Sequence, residues 1–287
     1  MIIATRDRCK SLLRCLQSVK QIKFEQPWEL IIVNNGSIDD TAVVVHEFIS
    51  TALFYVVYLV ECRLGKSQAM NTGLNMSRGQ IIAFTDDDCY PAPDFLSRIW
   101  SAFDGTSLGY ITGRVILHDP TDAPITINES TAPLTFPGRS LLYAGSVLGA
   151  NMAFRRCVLL EIGGFDPLMG PGASFVAAED LDVAGRASAR GWEGRYCPEV
   201  TVRHHHGRKA SDVPGQFKSY GLGLGAYHVK LFLRGHEFRW FAQILCQAPR
   251  RYKQSRRMFF WEVIGAAKYL CSWFTGRSNS DFNKISR

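Results

Sequence analysis

The chain has 287 residues, of which 46% are hydrophobic, so it carries enough apolar side chains to bury a full core. These totals exclude a disordered tail and a mini-protein. The eight cysteines are scattered without a CxxC pair, and no signal-peptide pattern begins the chain. We therefore expect free thiols in a reducing compartment.

Charge is unevenly distributed along the chain, whose net charge is +7. From Arg203 onward there are 16 Lys and Arg residues against 4 Asp and Glu, a net charge of +12, whereas the first 202 residues have 17 against 22, or −5. The basic part is also aromatic, as in EFRWFAQIL and RRYKQSRRMFFWEVIGAAKYLCSWF. This composition favours an anionic membrane surface as partner, and not nucleic acid, since no nucleic-acid module is present.

The basic segment does not read as a membrane span, because the sequence has no run of about 18 to 20 apolar residues. The closest approach, Met258 to Thr275, contains Glu262 and Lys268. We therefore expect a cytoplasmic protein, peripheral at the cytosolic face of a membrane, or a tail that binds a partner helix. A solvated helical tail packed on the body is the alternative.

Short β-type runs alternate with helical patterns over the first hundred residues, in the order ELIIVN, DDTAVVVHEFIS, LFYVVYLV, GKSQAMNTGLNMS, QIIAFT and DFLSRIWSAF. Their apolar runs are continuous, which indicates strands covered on both faces and hence an α/β fold with a doubly wound, mostly parallel sheet. The opening MIIATRDR offers only Ile2 to Ala4 of a first strand, so a truncated start is one reading. We predict an α/β domain over residues 1–206 and a basic helical tail over residues 207–287.

Four polar groups follow predicted strands: ATRD, VNNGSIDDT, the triplet Asp86 to Asp88, and AAEDLD far downstream. In an open parallel sheet the strand ends converge on one crevice, so these groups are expected to meet there. Three adjacent carboxylates repel and raise each other's pKa, so they persist only where solvent or a cation neutralises them. A divalent metal is one such cation.

Other catalytic motifs fail on spacing. LGKS lacks the first glycine of a phosphate-binding P-loop, because Val60 stands in its place. GLGLG at Gly221 to Gly225 follows no strand and is a weak dinucleotide signal. No GxSxG elbow or HExxH motif occurs.

Taken in order, the motifs resemble those of glycosyltransferase family 2, a group of inverting nucleotide-sugar transferases with the GT-A fold. The matching segments, spread from about Ile2 to His206, are IATRDR, VNNGSIDDT, RLGKSQAMNTGL, FTDDDCYPAPDFL and GGFD followed by AAEDLDVAGRASARG. Asn34 and Arg63 depart from the Asp and Asn common in the family, which leaves the nucleobase open.

The resemblance implies a metal-dependent enzyme that transfers a sugar from a nucleoside diphosphate sugar, here a UDP-sugar, to a hydroxyl of a glycan or lipid-linked acceptor. Mn²⁺ or Mg²⁺ would be held by Asp88 and Asp86, with His204 or His206 completing the shell. Asp180 would be the general base, and Glu179 would orient the acceptor or the base. Contacts to the nucleotide are assigned to Thr5, Arg6, Asn35, Asp39, Arg63, Lys66, Asn71, Asp86 and Asp87.

Plainer interpretations stay open. The triplet is also compatible with an acidic turn, NGSIDDT with a helix cap, and Glu179 and Asp180 with the acidity favoured at a helix N-terminus. Two other functions are compatible with the same residues: a nucleotidyltransferase, which would release pyrophosphate, and an inactive GT-A scaffold.

Overall fold

The computed structural model describes residues 1–233 and 238–275. Its strands, in chain order, are β1 (Ile2–Thr5), β2 (Glu29–Asn34), β3 (Tyr55–Val60), β4 (Ile81–Asp86), β5 (Cys89–Pro91), β6 (Tyr110–Leu117), β7 (Leu134–Phe136), β8 (Met152–Arg155) and β9 (Gly194–His204). Its helices are α1 (Cys9–Val19), α2 (Thr41–Thr51), α3 (Lys66–Met76), α4 (Phe95–Phe103), α5 (Arg156–Glu161), α6 (Glu179–Ala189), α7 (Val213–Leu233), α8 (Phe238–Gln254) and α9 (Arg256–Phe274).

Across these described ranges, nine strands form one sheet in the order β3-β2-β1-β4-β8-β6-β9-β5, with β7 added beside β9. The central strands β3, β2, β1 and β4 are parallel, whereas β8 runs antiparallel to both β4 and β6. The predicted α/β fold with a central, mostly parallel sheet is confirmed. Although β1 has only four residues, it lies between β2 and β4 in the middle of that sheet.

The continuous apolar runs reflect burial on both faces of the sheet. Ile2 and Ile31 belong to one hydrophobic cluster, while the next residues, Ile3 and Ile32, belong to a second cluster on the other face. Because successive side chains of a strand point to opposite faces, each strand must be apolar at every position.

Helices α7 and α9 of the basic tail pack against each other through glycines. A Cβ at Gly225 would lie 1.9 Å from the carbonyl oxygen of Glu262, and one at Gly221 would lie 2.6 Å from that of Met258. The GLGLG segment therefore lies inside a helix, where it permits close backbone approach. No dinucleotide-binding turn is formed there.

A buried charge network joins α7 to α6. Lys230 Nζ lies 2.6 Å from Asp166 Oδ2 and 2.6 Å from Asp182 Oδ1, and its side chain is 1% exposed. Arg186 Nε completes the network at 2.9 Å from Asp182 Oδ2. These contacts anchor the first tail helix to the α/β body, and the domain boundary at residue 206 stays a prediction.

All eight cysteines are free, as predicted. From α1 to the end of α9, the helices described are too short or too polar to span a bilayer.

Candidate active site

The carboxyl ends of β1, β2 and β4 open onto a cleft of about 740 Å³. Most of the residues that the sequence predicts for the site line this cleft: Thr5, Arg6, Asn35, Lys66, Asp86, Asp87, Asp88, Glu179, Asp180 and His204. Within the described part of the chain, Asp39, Arg63, Asn71 and His206 are not among its lining residues. The expected convergence of distant segments on one crevice is therefore present.

The aspartate triplet is held by basic and hydroxyl groups. Thr5 Oγ1 donates a hydrogen bond to Asp87 Oδ2 at 2.7 Å. The guanidinium of Arg8 lies 3.1 Å from Asp87 Oδ1 and 2.6 Å from Asp88 Oδ2. His204 Nε2 lies 3.2 Å from the other Asp88 oxygen, Oδ1. Neighbouring cations thus offset the repulsion among the carboxylates.

The pKa values of Asp87 and Asp88 are shifted in opposite directions. Burial raises the pKa of Asp87 to about 7, against the opposing attraction of Arg8. Burial also disfavours the Asp88 carboxylate, but His204 and Arg8 hold the pKa of Asp88 well below its ordinary value. Asp88 is therefore ionised at neutral pH and is the better suited of the two to bind a cation.

The residues around Asp88 fit a divalent cation. Asp86, Asp88, Cys89 and His204 each offer a ligand atom, and these atoms lie within 4.8 Å of one another. Burial raises the pKa of the Cys89 thiol well above its ordinary value, which leaves a neutral thiol that binds metals poorly. Two carboxylates and an imidazole remain, a donor set that suits Mn²⁺ or Mg²⁺.

Lys66 connects the triplet to the acidic start of α6. Its Nζ lies 2.5 Å from Asp86 Oδ1 and 3.3 Å from Glu179 Oε1. Gly65, with φ of +129°, makes the turn into α3, and Lys66 N donates to Pro171 O at 2.9 Å. Burial opposes the charge, but Asp86 and Glu179 raise the pKa of Lys66 above its ordinary value. Lys66 is therefore a cation between two acidic groups.

Glu179 and Asp180 begin α6, immediately after Ala178, whose φ of +68° is uncommon for a residue with a side chain. Gly149 N donates to Asp180 Oδ2 at 2.8 Å and Leu181 N donates to Asp180 Oδ1 at 2.7 Å. Burial raises the pKa of Asp180 and raises that of Glu179 to about 7. A carboxylate with a fixed orientation and a raised pKa is a stronger proton acceptor than an ordinary aspartate.

Asn71 and Asp39 make structural hydrogen bonds away from the cleft. Asn71 donates to Phe165 O and accepts from Phe165 N, both at 2.8 Å. Asp39 accepts from the backbone N–H groups of Cys9 and Thr41 at 2.9 and 3.1 Å, at the starts of α1 and α2. Their contacts to nucleotide stay predictions.

Asn35 organises the loop before α3. Its Nδ2 donates to the carbonyls of Glu61 and Arg63 at 2.9 and 2.7 Å, and its Oδ1 accepts from Gly65 N at 2.8 Å. Arg63 itself is paired with Glu61 at 2.7 Å. Asn35 thus lines the cleft and also holds the loop that carries Arg63.

His206 lies beside His204, the histidine that contacts Asp88, but does not line the cleft. Its ring centroid is 5.1 Å from that of His204, and its Nδ1 lies 3.8 Å from Asp122 Oδ2. Among the described residues, His204 is the histidine grouped with Asp86 and Asp88 as a potential ligand.

Several cleft residues are absent from the sequence-based assignment. Arg8 lines the cleft and lies three residues after the end of β1, so its position in the segment ATRDR could have indicated it. Tyr220 and Gln216 of α7 and Met258 of α9 form part of the wall. No motif spacing indicates these three, because their place depends on how the tail packs.

The chain belongs to glycosyltransferase family 2, since the family described as "Glycosyl transferase family 2" matches residues 1–161. Glycosyltransferase AglE of Haloferax volcanii is 33% identical over 206 residues, covering 71% of this chain and 66% of AglE. The chain thus spans just under two thirds of the length of that relative.

Two solved structures share the fold. Mannosyltransferase PcManGT from Pyrobaculum calidifontis, in complex with GDP-Man and Mn²⁺, has a TM-score of 0.66 at 20% identity and covers 94% of this chain and 73% of its own. TarS 1-349 of S. aureus has a TM-score of 0.64 at 17% identity, covers 90% and 72% respectively, and is also solved with UDP-GlcNAc. The predicted GT-A fold is confirmed.

Proposed function

We propose that this protein is a metal-dependent, inverting glycosyltransferase that moves a hexosyl group from a nucleoside diphosphate sugar to a hydroxyl of a glycan or lipid-linked acceptor. The observation that carries the proposal is that Asp88 and Asp180 line one cleft. Lys66 lies between the acidic groups to which they belong, in contact with Asp86 and Glu179. Membership of family 2 supports the reaction class.

The donor would lie at the ends of β1, β2 and β4, against Thr5, Arg6 and Asn35. Asp86, Asp88 and His204 would hold Mn²⁺ or Mg²⁺, which when bound stabilises negative charge on the leaving diphosphate. Lys66 adds a fixed positive charge beside Asp86, where it also favours the departing phosphate. The proposed donor is a UDP-sugar. One structural neighbour is solved with UDP-GlcNAc and another with GDP-Man.

Asp180 would act as the general base. The acceptor oxygen forms a bond to the anomeric carbon, the bond from that carbon to the diphosphate breaks, and Asp180 takes the hydroxyl proton. Attack from the side opposite the diphosphate inverts the anomeric carbon. The backbone N–H groups of Gly149 and Leu181 each donate to one oxygen of the Asp180 carboxylate and so orient it. Each carboxylate oxygen has a second lone pair with which it can accept the proton.

The acceptor would enter beside the tail helices. Tyr220, Gln216 and Met258 line the cleft together with Asp180, and apolar residues such as Val147 and Leu224 contribute to the same wall. This wall combines apolar surface with a few polar groups, as carbohydrate and lipid-linked acceptors require.

The tail is proposed to contact an anionic membrane. Phe260, Val263 and Phe274 are 59%, 54% and 80% exposed, and their spacing places them on one face of α9. Exposed basic residues, including Lys268, accompany them. Apolar side chains beside positive charge favour the surface of an anionic bilayer.

A thermal-shift panel of nucleoside diphosphates, with and without Mn²⁺, tests the proposed function. We expect one diphosphate to raise the melting temperature by several degrees, and Mn²⁺ to enlarge that shift. Product analysis with the matching nucleotide sugar should then detect the nucleoside diphosphate. Release of pyrophosphate would indicate a nucleotidyltransferase, and no nucleotide-dependent shift would indicate a scaffold.

A further inference from the structure

Both oxygens of Asp88 already have a partner. Arg8 Nη2 lies 2.6 Å from Oδ2, and His204 Nε2 lies 3.2 Å from Oδ1. His204 belongs to the group of side chains that fit a divalent cation, whereas the cationic guanidinium of Arg8 cannot be a metal ligand. A divalent cation that binds Asp88 must therefore compete with Arg8 for the carboxylate oxygen Oδ2.

Arg8 differs from the other charged groups of the cluster in its exposure to solvent. Its side chain is 41% exposed, whereas those of Asp87 and Asp88 are 5% and 6% exposed. It precedes α1 and lines the same cleft as the proposed donor site. A long side chain with one end in the cleft can exchange a carboxylate for a nearby phosphate without moving the backbone.

The chemistry of the guanidinium favours such an exchange. Arginine stays charged at any pH that the protein experiences, and its planar donors match the oxygens of carboxylate and phosphate equally well. A nucleoside diphosphate would bring several acceptor oxygens close to Asp86 and Asp88, where the cation is proposed to lie. Arg8 would then lose one anionic partner and gain another.

We propose that Arg8 is a mobile counter-ion: it neutralises Asp87 and Asp88 in the free protein and transfers to the donor diphosphate when cation and nucleotide bind. This inference rests on the proposed function. Arg8 would make the free site a weak binder of divalent cations and would couple cation binding to nucleotide binding. It would be a positioning residue that prepares the diphosphate for departure.

Titration of Mn²⁺ into the whole protein, in the absence and presence of saturating UDP or GDP, tests the proposal. In Arg8→Gln, Mn²⁺ should bind to the nucleotide-free protein about tenfold or more tightly, because a charge-assisted contact to Asp88 no longer competes. Nucleotide without metal should bind more weakly, and the factor by which nucleotide tightens Mn²⁺ binding should shrink.

Lys10→Gln is the matched control, since Lys10 is an exposed cation on the same helix, α1. It removes one positive charge two residues from Arg8, at a position that does not line the cleft, so its Mn²⁺ affinity should match the wild type within about twofold. Arg8→Lys keeps the charge but loses the forked contact, and should give smaller shifts in the same directions.

The outcomes separate the inference from the function it rests on. In one outcome, the wild type binds a nucleoside diphosphate with Mn²⁺ while Arg8→Gln binds Mn²⁺ no more tightly than the wild type does. That pair of results would overturn the counter-ion role and leave the proposed function intact. If Arg8→Gln does not fold, Arg8→Lys with wild-type affinities for both ligands would overturn it. Wild-type protein that binds no nucleoside diphosphate would overturn the proposed function and this inference with it.

Discussion

Asp88 Oδ1 lies 3.2 Å from His204 Nε2, and the pairing of two strands produces this contact. In the antiparallel ladder between β5 and β9, Cys89 is the register partner of His204, so the residue before β5 meets the end of β9. A carboxylate and an imidazole thereby converge at the edge of the cleft. Hydrogen bonding and charge from His204 also keep Asp88 ionised.

Asp88→Asn should remove sugar transfer, with a fall in turnover of about 10² or more, because the neutral amide binds a divalent cation poorly. The nucleotide-dependent part of Mn²⁺ binding, measured by titration, should be lost as well. Asp94→Asn is the control, since Asp94 forms an exposed pair with Arg98 on α4. Full turnover in Asp88→Asn would remove this residue from the site.

Asp180→Asn should bind the donor as the wild type does while turnover falls by about 10² or more, because the amide cannot take the acceptor proton. Donor affinity from calorimetry and turnover from product release separate these two effects. Loss of donor affinity would instead indicate that the contacts of Asp180 with Gly149 and Leu181 serve the shape of the cleft.

Glu179 should make stability depend on pH. Burial raises its pKa from 4.5 to about 7, so folding disfavours its charged form, and its unfavourable contribution grows as pH rises from about 4.5 to about 7. Glu179→Gln should therefore gain stability relative to the wild type as pH increases, by an amount on the order of 1 to 3 kcal/mol at pH 8.

Urea unfolding of Glu179→Gln at pH 5 and at pH 8 measures this difference. The exposed Glu25 provides the control, and Glu25→Gln should show the same small change at both pH values. A stability difference for Glu179→Gln that stays constant, or that shrinks with rising pH, would contradict the assigned effect of burial.

Lys230→Met should destabilise the protein by about 3 to 5 kcal/mol, because it leaves Asp166 and Asp182 buried without their shared cation. Chemical denaturation measures the change. Lys268→Met, at an exposed position on α9, should stay within about 0.5 kcal/mol of the wild type. Equal effects of the two substitutions would mean that the buried network does not anchor α7.

The tail should bind anionic vesicles, and salt should weaken that binding, because at 0.1 M ionic strength attractions between exposed charges more than about 10 Å apart are largely screened. Co-sedimentation with anionic and neutral vesicles measures it. The double variant Phe260→Ser and Phe274→Ser should bind less, whereas Leu53→Ser, at an exposed apolar position on the α/β body, should bind normally. Absence of lipid binding in the wild type would leave a solvated helical tail.

Much of the fold was predictable because its signal is local. Continuous apolar runs such as ELIIVN require burial on both faces, and residues such as Ile31 and Ile32 indeed enter different clusters. Most of the predicted site residues line the cleft for a different reason, because parallel strand ends meet at one edge of a sheet.

The remaining features depend on contacts between distant segments. The side chain of Asn71 forms hydrogen bonds with the backbone of Phe165, and that of Asp39 with the backbone of Cys9. Motif spacing does not reveal these contacts. The GLGLG segment resembles a nucleotide-binding turn in the sequence alone. The structure places its glycines in α7, two of them against the backbone of α9. Arg8 was the easiest of the omitted residues to predict, since it lies three residues after the end of β1.

Tyr220 of α7 and Met258 of α9 line the cleft, so the tail forms part of its wall. A chain shortened to residue 206 would keep Asp88, Asp180 and Lys66 but would lose this part of the wall. Solvent would then compete with the acceptor for the anomeric carbon. In the proposed transfer, this fragment should lose donor to hydrolysis, and the basic helices would then also shield the reacting carbon from water.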